Sequence, residues 1–266
     1  MINRMRHVSI VVGFVASSFT LSHSLLAQTP EALQQEPIFQ ITYPLEFRGR
    51  VVSGRLGKSD IPRLLDLPVR NGDSDLKEGY GVEMTRPNGE RFRASTCHEW
   101  ENAQREQAYA ATTYDMSMES PLIHTCGLLF RLQTAKIPAK SFVANPKVTL
   151  ADVRLLPAEM LNAVDEDQKR DQQSLRGLAV AQVVPAKDIT EVNEKALSLS
   201  YGGLRQIFWE AARADFDGKG LEEIFVFAGG RAEGGTMGYA ENLILTRTVP
   251  SGPLSLVTAK SASGKQ

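Results

Sequence analysis

The chain is poor in cysteine, in histidine and in excess charge of either sign. Two cysteines, four histidines and a formal net charge of −1 are spread over 266 residues. A near-neutral balance removes the electrostatic basis for binding nucleic acid or an anionic membrane, since both need a basic face. Beyond residue 27 no apolar run approaches the roughly 20 residues that span a bilayer, so no integral membrane segment is expected there. No glycine-rich stretch ends in Gly-Lys-Ser/Thr at P-loop spacing, and Gly234-Gly235-Thr236-Met237-Gly238 opens no crossover helix. There is no G-x-S-x-G elbow and no S-x-x-K pair. Only His98 and His124 follow the first 27 residues, which leaves little from which to build a Ser-His-Asp relay.

What is present begins with the N-terminus. Arg4 and Arg6 precede a mostly apolar stretch from Val8 to about Leu21, and Ser24-Leu25-Leu26-Ala27 ends on a small residue. This is the pattern of a secretory signal over residues 1–27. The alternative is an uncleaved anchor helix, which Ser17, Ser18, Ser22, His23 and Ser24 oppose by diluting the stretch. Cleavage takes away two basic residues and no acids, leaving 28 against 31, or −3. The expectation is a soluble bacterial protein, periplasmic or secreted.

In that compartment the pair Cys97 and Cys126 reads as a disulfide. A closed loop of about 30 residues is worth about 3.6 kcal/mol in the chain-entropy picture. Zinc is the competing reading, because Cys97-His98 and His124-Thr125-Cys126 place a histidine beside each thiol. The spacing matches no C-x2-C or H-x3-H arrangement, and adjacent Cys-His cannot easily turn both side chains onto one ion. "HEWEN" at 98–102 approaches the H-E-x-x-H zinc motif but carries Asn102 where the second histidine is needed, so a helix start is the simpler reading.

Apolar spacing and turn residues predict an α+β fold, mostly antiparallel β with one buried helix packed on it, in up to two lobes. Pro37–Val52 reads as extended, and Pro87-Asn88-Gly89 as the turn of a hairpin between Tyr80 and Ala94. Glu99–Ala111 reads as an exposed helix. Ser120-Pro121 starts the buried helix, which runs to about Lys136 with Leu122, Cys126, Leu129 and Phe130 on one face. Lys147–Leu156 and Gly177–Val184 are predicted strands, each ended by proline. Leu204–Ala214 fits helix or strand equally. Ile224–Ala228 and Asn242–Thr248 are predicted strands, with Gly229, Gly230, Gly234, Gly235 and Gly238 as a flexible connection. The domain reading is a disulfide-bearing lobe over 28–156, a linker over 157–176 containing the solvated charge run Asp165–Gln173, a β-rich lobe over 177–257, and a disordered tail over 258–266.

One stretch carries candidate ligand chemistry: "ADFDGKGLEEIFVFAGG", from Ala214 to Gly230. It resembles, over about fifteen residues, the D-x-D-G-D-G-x-x-D calcium loop of FG-GAP and VCBS-type repeats. The resemblance implies oxygen ligands from Asp215, Asp217 and Glu223, with Lys219 standing where the pattern has a third acid. Calcium needs six to eight oxygens, and an ammonium supplies none. Lys219 opposes a cation there, and the preferred reading makes it a built-in counter-ion for Asp215 and Asp217 that lets the loop keep its shape without metal. The position that would hold the bidentate glutamate of an EF-hand is Val226. The longer segment to Thr248 is similar to the C-terminal part of uncharacterised bacterial exported proteins, which implies export and a β-rich end.

The functional expectation is thus an exported, non-enzymatic protein that binds or scaffolds in the cell envelope, its partner another envelope or secreted protein. Two alternatives stand beside it: an immunity or inhibitor protein against a cell-wall-directed enzyme, and a hydrolase using a carboxylate pair. No cofactor is called for, calcium being the one ion with a place in the reading.

Overall fold

The computed structural model describes residues 36–71, 79–163, 172–235 and 237–257. The expectations for the leader, for 165–171 of the charge run and for the tail lie outside these residues. The described chain is mostly antiparallel sheet with few helices, the α+β arrangement expected from sequence. Among the described residues no helix is long and apolar enough to cross a membrane.

Strands β1 (Ile38–Phe47) and β2 (Arg50–Gly57) form a hairpin turning at Arg48-Gly49, where Gly49 has φ +70°. After the short helix α1 (Ile61–Leu65), β3 (Val82–Thr85) and β4 (Arg91–Ala94) make the hairpin predicted at Asn88-Gly89. Helix α2 (Cys97–Arg105) follows under a capping box, in which Thr96 accepts from the Glu99 amide while the Glu99 carboxylate receives the Thr96 N–H. The predicted exposed helix to Ala111 therefore stops early: Gln107 takes φ +56°, and β5 (Tyr109–Ala110) joins β3 to complete a small sheet of order β4-β3-β5. Helix α3 (Thr113–Ser117) leads into α4 (Ser120–Thr134), the predicted buried helix with Pro121 in its first turn.

Two predicted strands do not form. Over 147–156 the chain turns on Asp152, whose carboxylate accepts from the Thr149 amide at 2.8 Å. The Val143 and Val148 carbonyls go to the Arg213 guanidinium, at 3.3 and 2.8 Å, instead of to a neighbouring strand. In 177–184, Val180–Val183 is a single helical turn, and the Ala179 amide donates to Gln182 Oε1 at 2.7 Å.

The large sheet takes in β6 (Ile189–Val192), β7 (Ala196–Tyr201), β8 (Leu204–Ala214), β9 (Glu223–Ala232), β10 (Gly238–Thr246) and β11 (Ser255–Leu256). Its order is β11-β10-β9-β8-β1-β2, with β7 and β6 branching from β8. The branch sits at a bulge at Ala211. Before it, Leu204–Trp209 pairs with β7, and after it Ala212–Arg213 pairs with β1. The segments expected as separate lobes, 28–156 and 177–257, thus both supply strands to one sheet. Gly229, Gly230 and Gly238, expected in a flexible connection, lie inside β9 and β10; the described turn residues between these strands are 233–235.

Both faces of this sheet are covered. Phe225 and Phe227 pack into a core with α1, α2, α4 and β1, whereas Ile224, Val226 and Ala228 pack into a second core with Phe208, Leu197, Leu199 and the 143–161 segment. Burial on both sides is why β9 reads as an unbroken apolar run rather than an alternating one. Cys97 and Cys126 stand at disulfide distance, 2.12 Å, and tie the start of α2 to the middle of α4 within the first core.

Candidate functional site

The loop after β8 gathers the three acids named from sequence. Gly218 and Gly220 adopt φ +77° and +84°, a left-handed turn that L side chains rarely adopt. That turn folds the chain back so that donor oxygens of Asp215, Asp217 and Glu223 all lie within 4.8 Å of one another. Glu223 Oε2 accepts from the amides of Phe216 and Asp217, at 2.9 and 3.1 Å, and Asp215 Oδ2 accepts from the Gly220 amide at 3.0 Å. Lys219 Nζ reaches Asp217 Oδ2 at 2.6 Å. Asp215 Oδ1 is buried and has no hydrogen-bond partner among the described residues. Burial, and then the charges of Asp217 and Asp215, push the Glu223 carboxyl upward. Burial acts against the charged form of Asp217 too, but Lys219 outweighs it and holds that carboxyl low. The loop is stitched to the 136–141 segment by paired Lys136–Asp215 backbone bonds and by the Gly220 carbonyl, which accepts from Ala139 and Lys140.

The second place has no signature within any one segment of the sequence. Between the sheet and the small β4-β3-β5 sheet lies an open groove of ≈ 1260 Å³. Its floor follows from strand alternation: Arg205, Ile207 and Trp209 of β8 and Phe227, Gly229 and Arg231 of β9 all line it. Alternate residues share one face of the pleat, and α4 covers that face over Phe225 and Phe227. Tyr43, on the irregular middle of β1, completes an aromatic cluster, its ring 5.6 Å from Trp209 and 5.2 Å from Phe227. The walls are Glu46, Arg70, Glu83, Arg93, Asp115 and the first turn of α4.

His124 of α4 stacks on Phe227 at 4.7 Å and meets Asn242 Oδ1 through Nδ1 at 3.0 Å. Asn242 donates its Nδ2 to the Ile123 carbonyl at 2.7 Å, which fixes the amide orientation. Nδ1 of His124 must then carry the proton, and Nε2 is the acceptor. Burial drives the imidazole toward its neutral form, against the smaller effect of Asn242. Gly127, facing Asn242 one turn on, has no room for a Cβ: it would stand 2.0 Å from Asn242 Nδ2. His98 and His124 are therefore committed elsewhere than to zinc: His98 Nδ1 sits 2.7 Å from Asp66 Oδ1.

Behind the floor, Gln206 uses its whole side chain. Its Oε1 accepts from the Asn162 amide and the Tyr239 hydroxyl, at 2.9 and 2.7 Å, and its Nε2 donates to the Asn162 and Tyr201 carbonyls. At the N-terminus of α4, Glu119 is pushed to about 7 by burial and by Asp115. Asp115 is already engaged by the Glu83 amide and the Thr112 hydroxyl. It positions β3 and holds Thr112, the N-cap of α3, so the carboxylate beside Glu119 is already bonded.

No family model, no curated protein and no solved structure matches this chain. Function must therefore be read from these two places alone.

Proposed function

We propose that the protein is an exported, non-enzymatic binding protein of the cell envelope whose ligand seat is the groove over β8 and β9. The observation that carries this reading is the aromatic cluster Tyr43–Trp209–Phe227, lining an open concavity larger than the roughly 300–1,000 Å³ of ordinary small-molecule sites. Catalytic machinery is a poorer reading of the same wall, because its Asp115 carboxylate is held in structural bonds to the Glu83 amide and the Thr112 hydroxyl. Trp209 is one of two tryptophans, and the other, Trp100, is buried beside the disulfide, so a fluorescence change on binding reports the groove. Fractions of envelope extract are expected to change that emission in the wild type and not in Trp209→Ala. Native mass spectrometry should then show an adduct that the variant lacks. If no fraction produces a Trp209-dependent change, the reading fails.

A second reading, favoured by the orphan Asp215 Oδ1, makes the 215–223 loop a weak calcium site of the extracellular kind. The Lys219 end of the Lys219–Asp217 pair lies in solvent, where water and salt screen it. An unpaired buried carboxylate oxygen costs about 1–3 kcal/mol or more, and Lys219 does not hydrogen-bond it. The buried cost outweighs the exposed pair and favours a cation. Calcium supplied at millimolar concentration is expected to raise the melting temperature over that in chelator.

A further inference from the structure

We infer that the groove takes an acidic glycan, with Arg205 and Arg231 seating a sugar carboxylate while the ring lies on Trp209; this rests on the groove being the ligand seat. The two arginines are cross-strand partners in the β8–β9 register and both line the groove. Like charges directly opposite one another on neighbouring strands are destabilising. Neither guanidinium makes a hydrogen bond or ion pair with any described residue. The other charges facing the groove are spoken for. Glu46 pairs with Arg70 at 3.4 Å, Glu83 with Arg91 at 3.6 Å, Arg93 donates to the Tyr80 carbonyl at 3.1 Å, and Asp115 is held by backbone and hydroxyl. What remains is two arginines at directly opposed register positions on the groove floor, and a guanidinium fork suits bidentate capture of a carboxylate.

The rest of the groove narrows the class. Its volume exceeds that of a drug-sized ligand, and its openness to solvent suits a segment of polymer crossing it rather than a molecule enclosed by it. Trp209 and Tyr43 line it with aromatic rings, and the negative quadrupole of a ring face attracts the C–H face of a sugar. Gly229, between Phe227 and Arg231, keeps the floor flat where a ring must approach the backbone. His124 Nε2 adds an acceptor for a hydroxyl.

The test is titration of the mature chain with hexagalacturonate, its fully methyl-esterified form, and 2-naphthoate, read by Trp209 emission and calorimetry. The acid form is expected to bind about tenfold or more tightly than the ester, the loss of one charge-assisted hydrogen bond being enough for that ratio. The double variant R205Q/R231Q is expected to bind acid and ester alike, at the level of the ester, and to melt no lower than the wild type. W209A should weaken both. Equal binding of acid and ester by the wild type, or a preference that survives R205Q/R231Q, overturns the inference while leaving the groove as the ligand seat. Binding of naphthoate without either glycan likewise overturns it. Silence from all three probes overturns it too, whatever the extract experiment shows for the groove itself.

Discussion

Replacing Asp215 by asparagine is expected to stabilise the protein in chelator and to lose that advantage in calcium. In the wild type Asp215 is 2% exposed, Oδ2 is held by the Gly220 amide, Oδ1 is buried with no hydrogen-bond partner among the described residues, and one of its oxygens lies within 4.8 Å of Asp217 and Glu223. Asparagine keeps an oxygen for Gly220 and turns an N–H2 toward the two carboxylates, relieving about 1–2 kcal/mol of unsatisfied charge. For a chain of this size that is a rise of about 2–8 °C in chelator. With calcium that advantage closes. A site of about 1 mM affinity at 10 mM calcium gains about 1.4 kcal/mol in the wild type. Asparagine forfeits most of that gain, because one neutral amide oxygen replaces a carboxylate. Differential scanning fluorimetry of both proteins, in chelator and across a calcium series to 10 mM, measures all four corners. A wild type indifferent to calcium, or an asparagine variant that melts lower in chelator, would refute the reasoning. The first outcome would return Lys219 to the role of a sufficient counter-ion.

Three further outcomes follow from other parts of the fold. The Glu119 carboxyl, raised to about 7 by burial and by Asp115, binds more protons folded than unfolded between about pH 4.5 and 7, so it costs stability as pH rises through that window. Glu119→Gln should therefore melt about 2–4 °C above wild type at pH 8, solvent screening limiting the gain to about 1 kcal/mol, and show no gain at pH 4.5. A Cβ at position 230 would sit 2.3 Å from the Tyr239 ring, so Gly230→Ala must displace the ring from Gln206 and lower stability by about 1–3 kcal/mol in urea unfolding. Arg213→Ala strands the buried Glu210 carboxylate and the Val143 and Val148 carbonyls together, a loss of about 3–5 kcal/mol by the same assay.

The elements legible in the sequence are those specified locally. Asn88-Gly89 fixes a hairpin through its own backbone preferences, and Pro121 starts a helix because its missing N–H goes unneeded in a first turn. Where side chains bond their own backbone, apolar content misleads: Asp152 with Thr149, and Gln182 with Ala179, convert two apolar runs into turns. Leu204–Ala214 resembles a helix for a traceable reason. The bulge at Ala211 shifts the alternation by one, so Leu204, Phe208, Ala211 and Ala212 are all buried and mimic a helical stripe. The acidic loop is visible because its residues lie within nine positions of each other. The groove is not, since Arg205 meets Arg231 only through a register that no single segment encodes. The sole trace is the alternation of Arg205, Ile207 and Trp209, which has meaning once β8 is known to be a strand.

The central sheet is a party wall: each of the two hydrophobic interiors uses one side of it, and the same phenylalanine-rich strand serves both. Neither interior could be excised with its wall intact. A fragment ending before residue 189 would lack the partition against which Leu122 and Leu129 rest, and one beginning at 177 would bare Phe225 and Phe227 to water. Dissection into halves is thus expected to yield insoluble pieces, and the chain to melt as a single cooperative unit.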